Sequence, residues 1–270
     1  MNYKKAPHQP LRLPAEEARR GPLHYKRSVV LCVIMKIIII GATSGIGKEL
    51  AQQYLALGHT VAVTGRREEL LVELKKQYPA LYTSCFDVQA GNAVEQLQLL
   101  IAEMGGVDLL IYSAGYGDPS TELVAEVEID STTTNVMGFV KIATYTFNYF
   151  LQQGHGQLAV ISSVAALRGN SYAPAYSASK AYVSNYAEGL NIKAHKLHAN
   201  IVVTDIRPGF VKTKMAKGNG QFWVAPVDKA ARQIISAITA KKRVAYITKR
   251  WALIAFLFKR LPYWVYKRIG

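Results

Sequence analysis

A chain of 270 residues, half of them hydrophobic, is long enough to bury a full α/β core and suits one domain. Its two cysteines, Cys32 and Cys85, exclude a disulfide framework and fit a reducing, cytoplasmic compartment; both fall in or beside apolar runs, which predicts buried thiols. The net charge of +15 is concentrated at the ends, with +5 on residues 1–34, +9 on 241–270 and only +1 between, so nucleic-acid binding, which needs a basic face on the fold itself, is disfavoured.

Residues 1–28 mix Pro, Arg, Lys and polar residues without periodicity and read as a disordered or loosely held extension. Val29 to Ile40 then form an apolar stretch broken by Lys36. Basic residues before an apolar run resemble a signal peptide. That reading is rejected, because the run leads straight into a glycine turn and cleavage would destroy the strand. Met35 stands where a domain would begin, so residues 1–34 are expected to be an extension or to lie upstream of the true start. The domain proper is expected over 35–248, followed by a basic, aromatic tail over 249–270.

Ile37 to Ile40 is β-branched, as a central parallel strand requires. The turn Gly41-Ala42-Thr43-Ser44-Gly45-Ile46-Gly47 and a helix over Lys48 to Leu57 follow. Strand, glycine turn and helix together predict a pyrophosphate seat: the glycines let backbone approach, and the helix N-terminus offers free N–H groups. The spacing is G-x-x-x-G-x-G, not G-x-G-x-x-G. A second strand, Thr60 to Thr64, ends in Gly65-Arg66-Arg67. NAD sites place a carboxylate here for the ribose 2′-OH, whereas NADP sites supply an arginine for the 2′-phosphate. Gly65 holds the carboxylate position and Arg66 follows, with Ser44 as a further donor, so NADP(H) is favoured over NAD(H). The plainer reading makes Arg66 and Arg67 solvated residues opening a helix over 68–77. A third strand, Leu81 to Phe86, leads to Asp87-Val88, where a carboxylate could accept the adenine amino group or cap a helix starting near Ala90. The fourth, Val107 to Tyr112, ends in the small residues Ser113-Ala114-Gly115, which would let a cofactor ribose lie close.

A helix from about Thr132 to Gln152 carries Asn135. The fifth strand, Gln157 to Ser162, delivers Ser163. After a loop with Gly169 and Pro174 comes a helix with Tyr176 and Lys180, four apart and so on one face. Tyr263 and Lys267 repeat that spacing by chance, without a strand-tip serine upstream. A phenol with pKa near ~10 is a poor base at neutral pH, and a neighbouring ammonium favours phenolate. Tyr176 is therefore expected to exchange a proton with a carbonyl or alcohol oxygen that Ser163 holds. Lys180 would also hold the cofactor ribose, and Asn135 would anchor a water for proton exit.

Gly41-x-x-x-Gly45-x-Gly47, Asn135, Ser163, Tyr176-x-x-x-Lys180 and Arg207-Pro208-Gly209 together resemble the short-chain dehydrogenase/reductase family, in its shorter single-domain branch. The likeness spans about residues 35–247. It implies a three-layer, doubly wound Rossmann fold with a seven-stranded parallel sheet. It implies the turn Pro208-Gly209-Phe210-Val211-x-Thr213 beside the nicotinamide carboxamide, a variable lid over 214–225, and a homodimer or homotetramer. One departure is Ser113, where the family usually has Asn. The expected function is hydride transfer between NADP(H) and a carbonyl or secondary alcohol of a lipophilic small molecule. Rival readings are an epimerase or dehydratase of the wider family, which usually has a longer C-terminal domain, and a non-catalytic NADP(H)-binding regulator.

The apolar run Trp251 to Phe258, framed by Lys249-Arg250 and Lys259-Arg260, would reach only ~12 Å as a helix, against a hydrocarbon core of ~30 Å. It cannot span. It is expected either to lie on an anionic membrane surface or to pack on protein, with a lean to the membrane.

Overall fold

Seven short strands pair side by side into one parallel sheet in the computed structural model, which describes residues 33–215 and 222–268. The extension expected over residues 1–28 lies outside the described residues. The strands are β1 (Lys36–Ile40), β2 (Thr60–Gly65), β3 (Tyr82–Cys85), β4 (Leu109–Tyr112), β5 (His155–Ile161), β6 (Asn200–Pro208) and β7 (Val244–Ile247). Their spatial order is β3-β2-β1-β4-β5-β6-β7, every neighbouring pair parallel. The chain starts in the middle, winds outward to β3, then returns to the other side of β1 at β4. That reversal opens a crevice at the carboxyl ends of the strands, where such sheets hold ligands.

The period of β1 explains the layers. Ile37 and Ile39 point to one face, Ile38 and Ile40 to the other, and all four are buried. One face packs against α1 (Gly45–Ala56), α2 (Glu68–Gln77) and α7 (Val227–Thr239). The other packs against α3 (Ala93–Met104), α5 (Phe139–Gln153) and α6 (Pro174–Lys196). This is the expected three-layer, doubly wound α/β fold.

Several boundaries differ from expectation. β3 begins at Tyr82 and β4 at Leu109, where their partners Ala62 and Ile37 begin to pair with them. The first helix starts at Gly45, three residues early. The helix expected from Thr132 begins as α4 (Ala125–Thr132), passes through a π-helical turn at Thr133–Gly138 and continues as α5. Cys85 is exposed, not buried, because it ends the edge strand β3; Cys32 lies outside the described residues.

Candidate active site

A cleft of about 780 Å³ opens at the carboxyl ends of β1, β4, β5 and β6. Its floor is the glycine turn. Gly41 has φ +82°, and a Cβ there would lie 2.5 Å from the Cα and N of Ala114, so the turn rests directly on the end of β4. A Cβ on Gly47 would lie 2.4 Å from the Gly41 carbonyl oxygen, which brings the start of α1 down onto the same turn. Ser44 precedes α1 without a side-chain cap bond, and the first turn has no acidic residue. The positive end of the helix therefore faces the cleft uncompensated.

The adenosine end departs from the sequence reading in one respect. Arg67, read beside Arg66 as a solvated residue, turns back over the glycine turn. Its Nε donates to Thr43 Oγ1 at 3.1 Å and its Nη2 to Ser44 Oγ at 2.9 Å. Arg66 reaches the other way and pairs with Asp87 at 3.4 Å. A Cβ on Gly65 would meet Thr43 Cγ2 at 2.6 Å, so no carboxylate can stand there without displacing Thr43. Two guanidinium groups and two hydroxyls without a competing carboxylate at 65 make a seat for a phosphate. The adjacent doublet Arg66-Arg67 was the available signal; what it lacked was the direction of each side chain. Asp87 Oδ1 accepts from Gln89 N at 2.9 Å and closes a tight turn; it does not cap α3, which starts at Ala93 behind Asn92.

The other end holds the titratable groups. Ser163 follows β5 in extended backbone, and its Oγ accepts from Ala165 N at 3.1 Å, which opens a short 3₁₀ turn, Val164–Leu167. Pro174 begins α6, and one turn separates Tyr176 from Lys180. The Tyr176 phenol stands beside the Ser163 hydroxyl, and its ring lies against Gly117, where a Cβ would be 2.6 Å from Cδ2. Gly117 is a further site residue for which no sequence motif stood. Lys180 Nζ donates to Ile161 O at 3.0 Å and sits 5.7 Å from the Tyr176 ring centroid. Burial raises the Tyr176 phenol, and the Ser163 hydroxyl partly offsets this. Burial lowers the Lys180 ammonium to about 8, against the opposing charge of Asp205.

Asp205 belongs to a buried polar network behind the site. It accepts from Ser162 Oγ, from Ser184 Oγ at 2.7 Å and from Arg207 Nε at 2.7 Å. Arg207 also donates to Tyr246 Oη at 3.0 Å. These bonds tie the end of β5 and the turn of α6 after Lys180 to β6.

Asn135 stands in the π-turn, almost fully buried, and does not line the cleft. Its Oδ1 accepts from Tyr116 N at 2.8 Å, and its Nδ2 donates to Tyr116 O at 2.8 Å and Ser179 Oγ at 2.9 Å. The side chain clamps the segment after β4 to α6, and its amide donors are fully used. A water there would have only oxygen lone pairs to bind. Of the predicted site residues, Gly47 and Asn135 stand behind the cleft. Gly41, Thr43, Ser44, Gly45, Ile46, Arg66, Asp87, Val88, Ser113, Ala114, Gly115, Ser163, Tyr176, Lys180, Pro208, Gly209, Val211 and Thr213 all line it.

The tail forms a wall. It folds as α8 (Trp251–Arg260) and α9 (Tyr263–Tyr266). Trp251, 3% exposed, packs among Phe210, Phe222 and Trp223. Arg168 Nη1 donates to the carbonyls of Phe258 and Leu261 at 3.0 and 2.9 Å and lies 4.3 Å over the Tyr266 ring. Tyr266 Oη closes the contact onto Gly169 O at 2.7 Å. Phe258 and Tyr266 thereby reach the cleft. The inner face of the tail packs on the fold, and no described helix is long and apolar enough to cross a membrane. Of the expected lid, residues 216–221 lie outside the described residues, while Met215 and Phe222 line the cleft.

Residues 35–222 match the family model described as short chain dehydrogenase. The NADP-dependent 3-hydroxy acid dehydrogenase YdfG of Escherichia coli K12 is 33% identical over 183 residues, 66% of this chain and 73% of that protein. The 3-ketodihydrosphingosine reductase of Bacteroides thetaiotaomicron is 33% identical over 179 residues, covering 66% of this chain and 64% of the relative. Among solved structures, a serine dehydrogenase complexed with NADP+ superposes with a TM-score of 0.71 at 27% identity, over 78% of this chain and 94% of the other.

Proposed function

The chain belongs to the short-chain dehydrogenase family, and on that footing we propose that it is an NADP(H)-dependent oxidoreductase working on a carbonyl or secondary alcohol carbon of a lipophilic substrate. The observation that carries the reading is one cleft with Ser163, Tyr176 and Lys180 at one end and a glycine turn beneath two arginines at the other. When bound, the nicotinamide supplies or accepts the hydride. The turn Gly41 to Gly47 and the start of α1 would hold its diphosphate, and Arg66, Arg67 and Ser44 the 2′-phosphate. Asp87 and Val88 would flank the adenine, Ser113 to Gly115 the ribose, and Pro208, Gly209, Val211 and Thr213 the carboxamide.

The remaining chemistry is proton transfer by this chain's own groups. Ser163 Oγ orients the substrate oxygen. Tyr176 Oη gives that oxygen a proton in reduction and takes it back in oxidation. A buried phenol resists ionisation, so the Lys180 cation beside it is what makes phenolate accessible. Asn135 holds the backbone at Tyr116, and through it Gly117 against the Tyr176 ring. NADP(H) preference favours reduction in the cytoplasm. Phe222, Phe258 and Tyr266 on the cleft wall support a lipophilic substrate, as does the likeness to a ketosphingoid reductase, with a membrane face as its source. Two copies would pair as a homodimer, or four as a homotetramer, across α5 and α6, where Tyr182 and Ile192 of α6 are exposed.

The test is NADPH oxidation against ketones and aldehydes from small polar to long-chain, beside Tyr176→Phe. Loss of roughly 10²–10⁴-fold in turnover with NADPH binding retained is expected. Equal turnover by the variant would refute the role of Tyr176.

A further inference from the structure

α8 is apolar on two faces, and the fold accounts for only one. Trp251, Ala255 and Phe258, at spacing i, i+4, i+7, face inward. Leu253, Phe256 and Leu257, at i, i+3, i+4, form a second stripe that is about half exposed or more. Tyr263 and Trp264, 74% and 62% exposed, extend it through α9. A helix lying on a soluble domain normally turns polar residues outward. Here the polar residues flank the stripe instead. Lys249, Arg250, Lys259, Arg260, Lys267 and Arg268 are all exposed, and no Asp or Glu follows Asp228 in the sequence. The Arg260 guanidinium lies 3.7 Å from the Phe256 ring centroid, so the cation stacks on the ring at the border of the stripe.

We infer that the outer face of α8–α9 docks on an anionic phospholipid bilayer, with the helices in the membrane plane. The ten residues of α8 reach ~15 Å, which fits a helix lying in the interface, half the depth of the hydrocarbon core. Leu and Phe enter the acyl boundary, Tyr and Trp take the headgroup level, and the cations meet lipid phosphates. Symmetric pairing of two copies through this face is opposed by its charge, since it would set six cations against six with no carboxylate between them. The same two helices contribute Phe258 and Tyr266 to the cleft. Docking therefore sets the cleft wall against the lipid that would supply a lipophilic substrate. The docking stands without the reductase reading; the delivery of substrate rests on it.

The experiment is co-sedimentation of the full chain with vesicles of phosphatidylcholine alone or with 30% phosphatidylserine. Binding to the anionic vesicles is expected, with roughly fivefold lost per cation removed near the surface. Phe256→Gln with Trp264→Gln should lower partition at least tenfold, and Lys259→Glu with Lys267→Glu should abolish the preference for phosphatidylserine. NADPH affinity and circular dichroism establish that the variants are folded, and turnover of a water-soluble ketone without vesicles reads the reductase assignment separately. No binding by the unaltered chain, or equal binding by the outer-face variants, overturns the inference. So does a change of oligomeric state in those variants with vesicle binding unaltered, which would mark the face as a protein interface.

Discussion

Asp205→Asn removes one charge from behind the site and keeps the shape. Ser162 and Ser184 can rotate their hydroxyls to suit an amide, but Arg207 has donors only. Its side chain, 13% exposed, is left as a buried cation without its anion. Breaking a buried pair from one side costs about 3–5 kcal/mol, a large part of a total near ~5–15 kcal/mol. At roughly 2–4 °C per kcal/mol for a domain of this size, the melting point should fall by about 6–20 °C. The second effect is electrostatic. The buried Lys180 ammonium, already near 8, loses the carboxylate that supports it and falls further. Turnover needs that cation, so its alkaline limit should move to lower pH. The groups that act on Asp205 are Ser162 just after β5, Ser184 and Lys180 on α6, and Arg207 on β6, with Tyr246 on β7 beyond the guanidinium. Urea unfolding and a pH–rate profile of NADPH oxidation measure the two effects. A loss under ~1 kcal/mol refutes the buried pair, and an unmoved alkaline limb refutes the coupling to Lys180.

Arg67→Ala should weaken NADPH binding roughly ten- to a hundredfold and leave NADH binding nearly unchanged, since charge-assisted bonds contribute about 1.5–3 kcal/mol; fluorescence titration with both cofactors decides. Gly41→Ala forces a left-handed alanine into the backbone of Ala114 and should cost at least ~3 kcal/mol together with cofactor binding, as read from urea midpoints. Without cofactor, stability should rise with pH from about 8 to 10.5, because the unfolded chain holds the Lys180 proton more tightly than the folded one. Lys180→Met should flatten that rise, which can be read from urea midpoints between pH 7.5 and 9.5.

Residues whose placement is tied to a local pattern were legible. The isoleucines of β1, the glycine turn and the pair Tyr176 and Lys180 announce themselves because strand period, turn and helix period are all local. What was hidden depends on neighbours distant in sequence. Arg67 differs from Arg66 only in direction, which the hydroxyls of Thr43 and Ser44 fix from 24 and 23 residues away. The Asp205 network draws on four segments, and only Arg207 among its members stood in a motif. The π-turn at Asn135 inserts an irregularity that periodicity cannot register. The tail presented two readings because α8 is apolar all round, so its pattern could not say which face meets protein; Arg168 decides that by binding Phe258 and Leu261 from 90 and 93 residues away.

The wall formed by α8 and α9 has a consequence for how such an enzyme can change. Tyr176 and Lys180 stand on α6 and the cofactor floor on β1, and the wall comes from a separate, later stretch of chain. Substitutions at Phe258 or Tyr266 can reshape what the cleft admits without touching Tyr176 or Lys180. Selection can therefore adjust the substrate range and the chemistry independently, and a new preference can arise in a catalyst that never stops working.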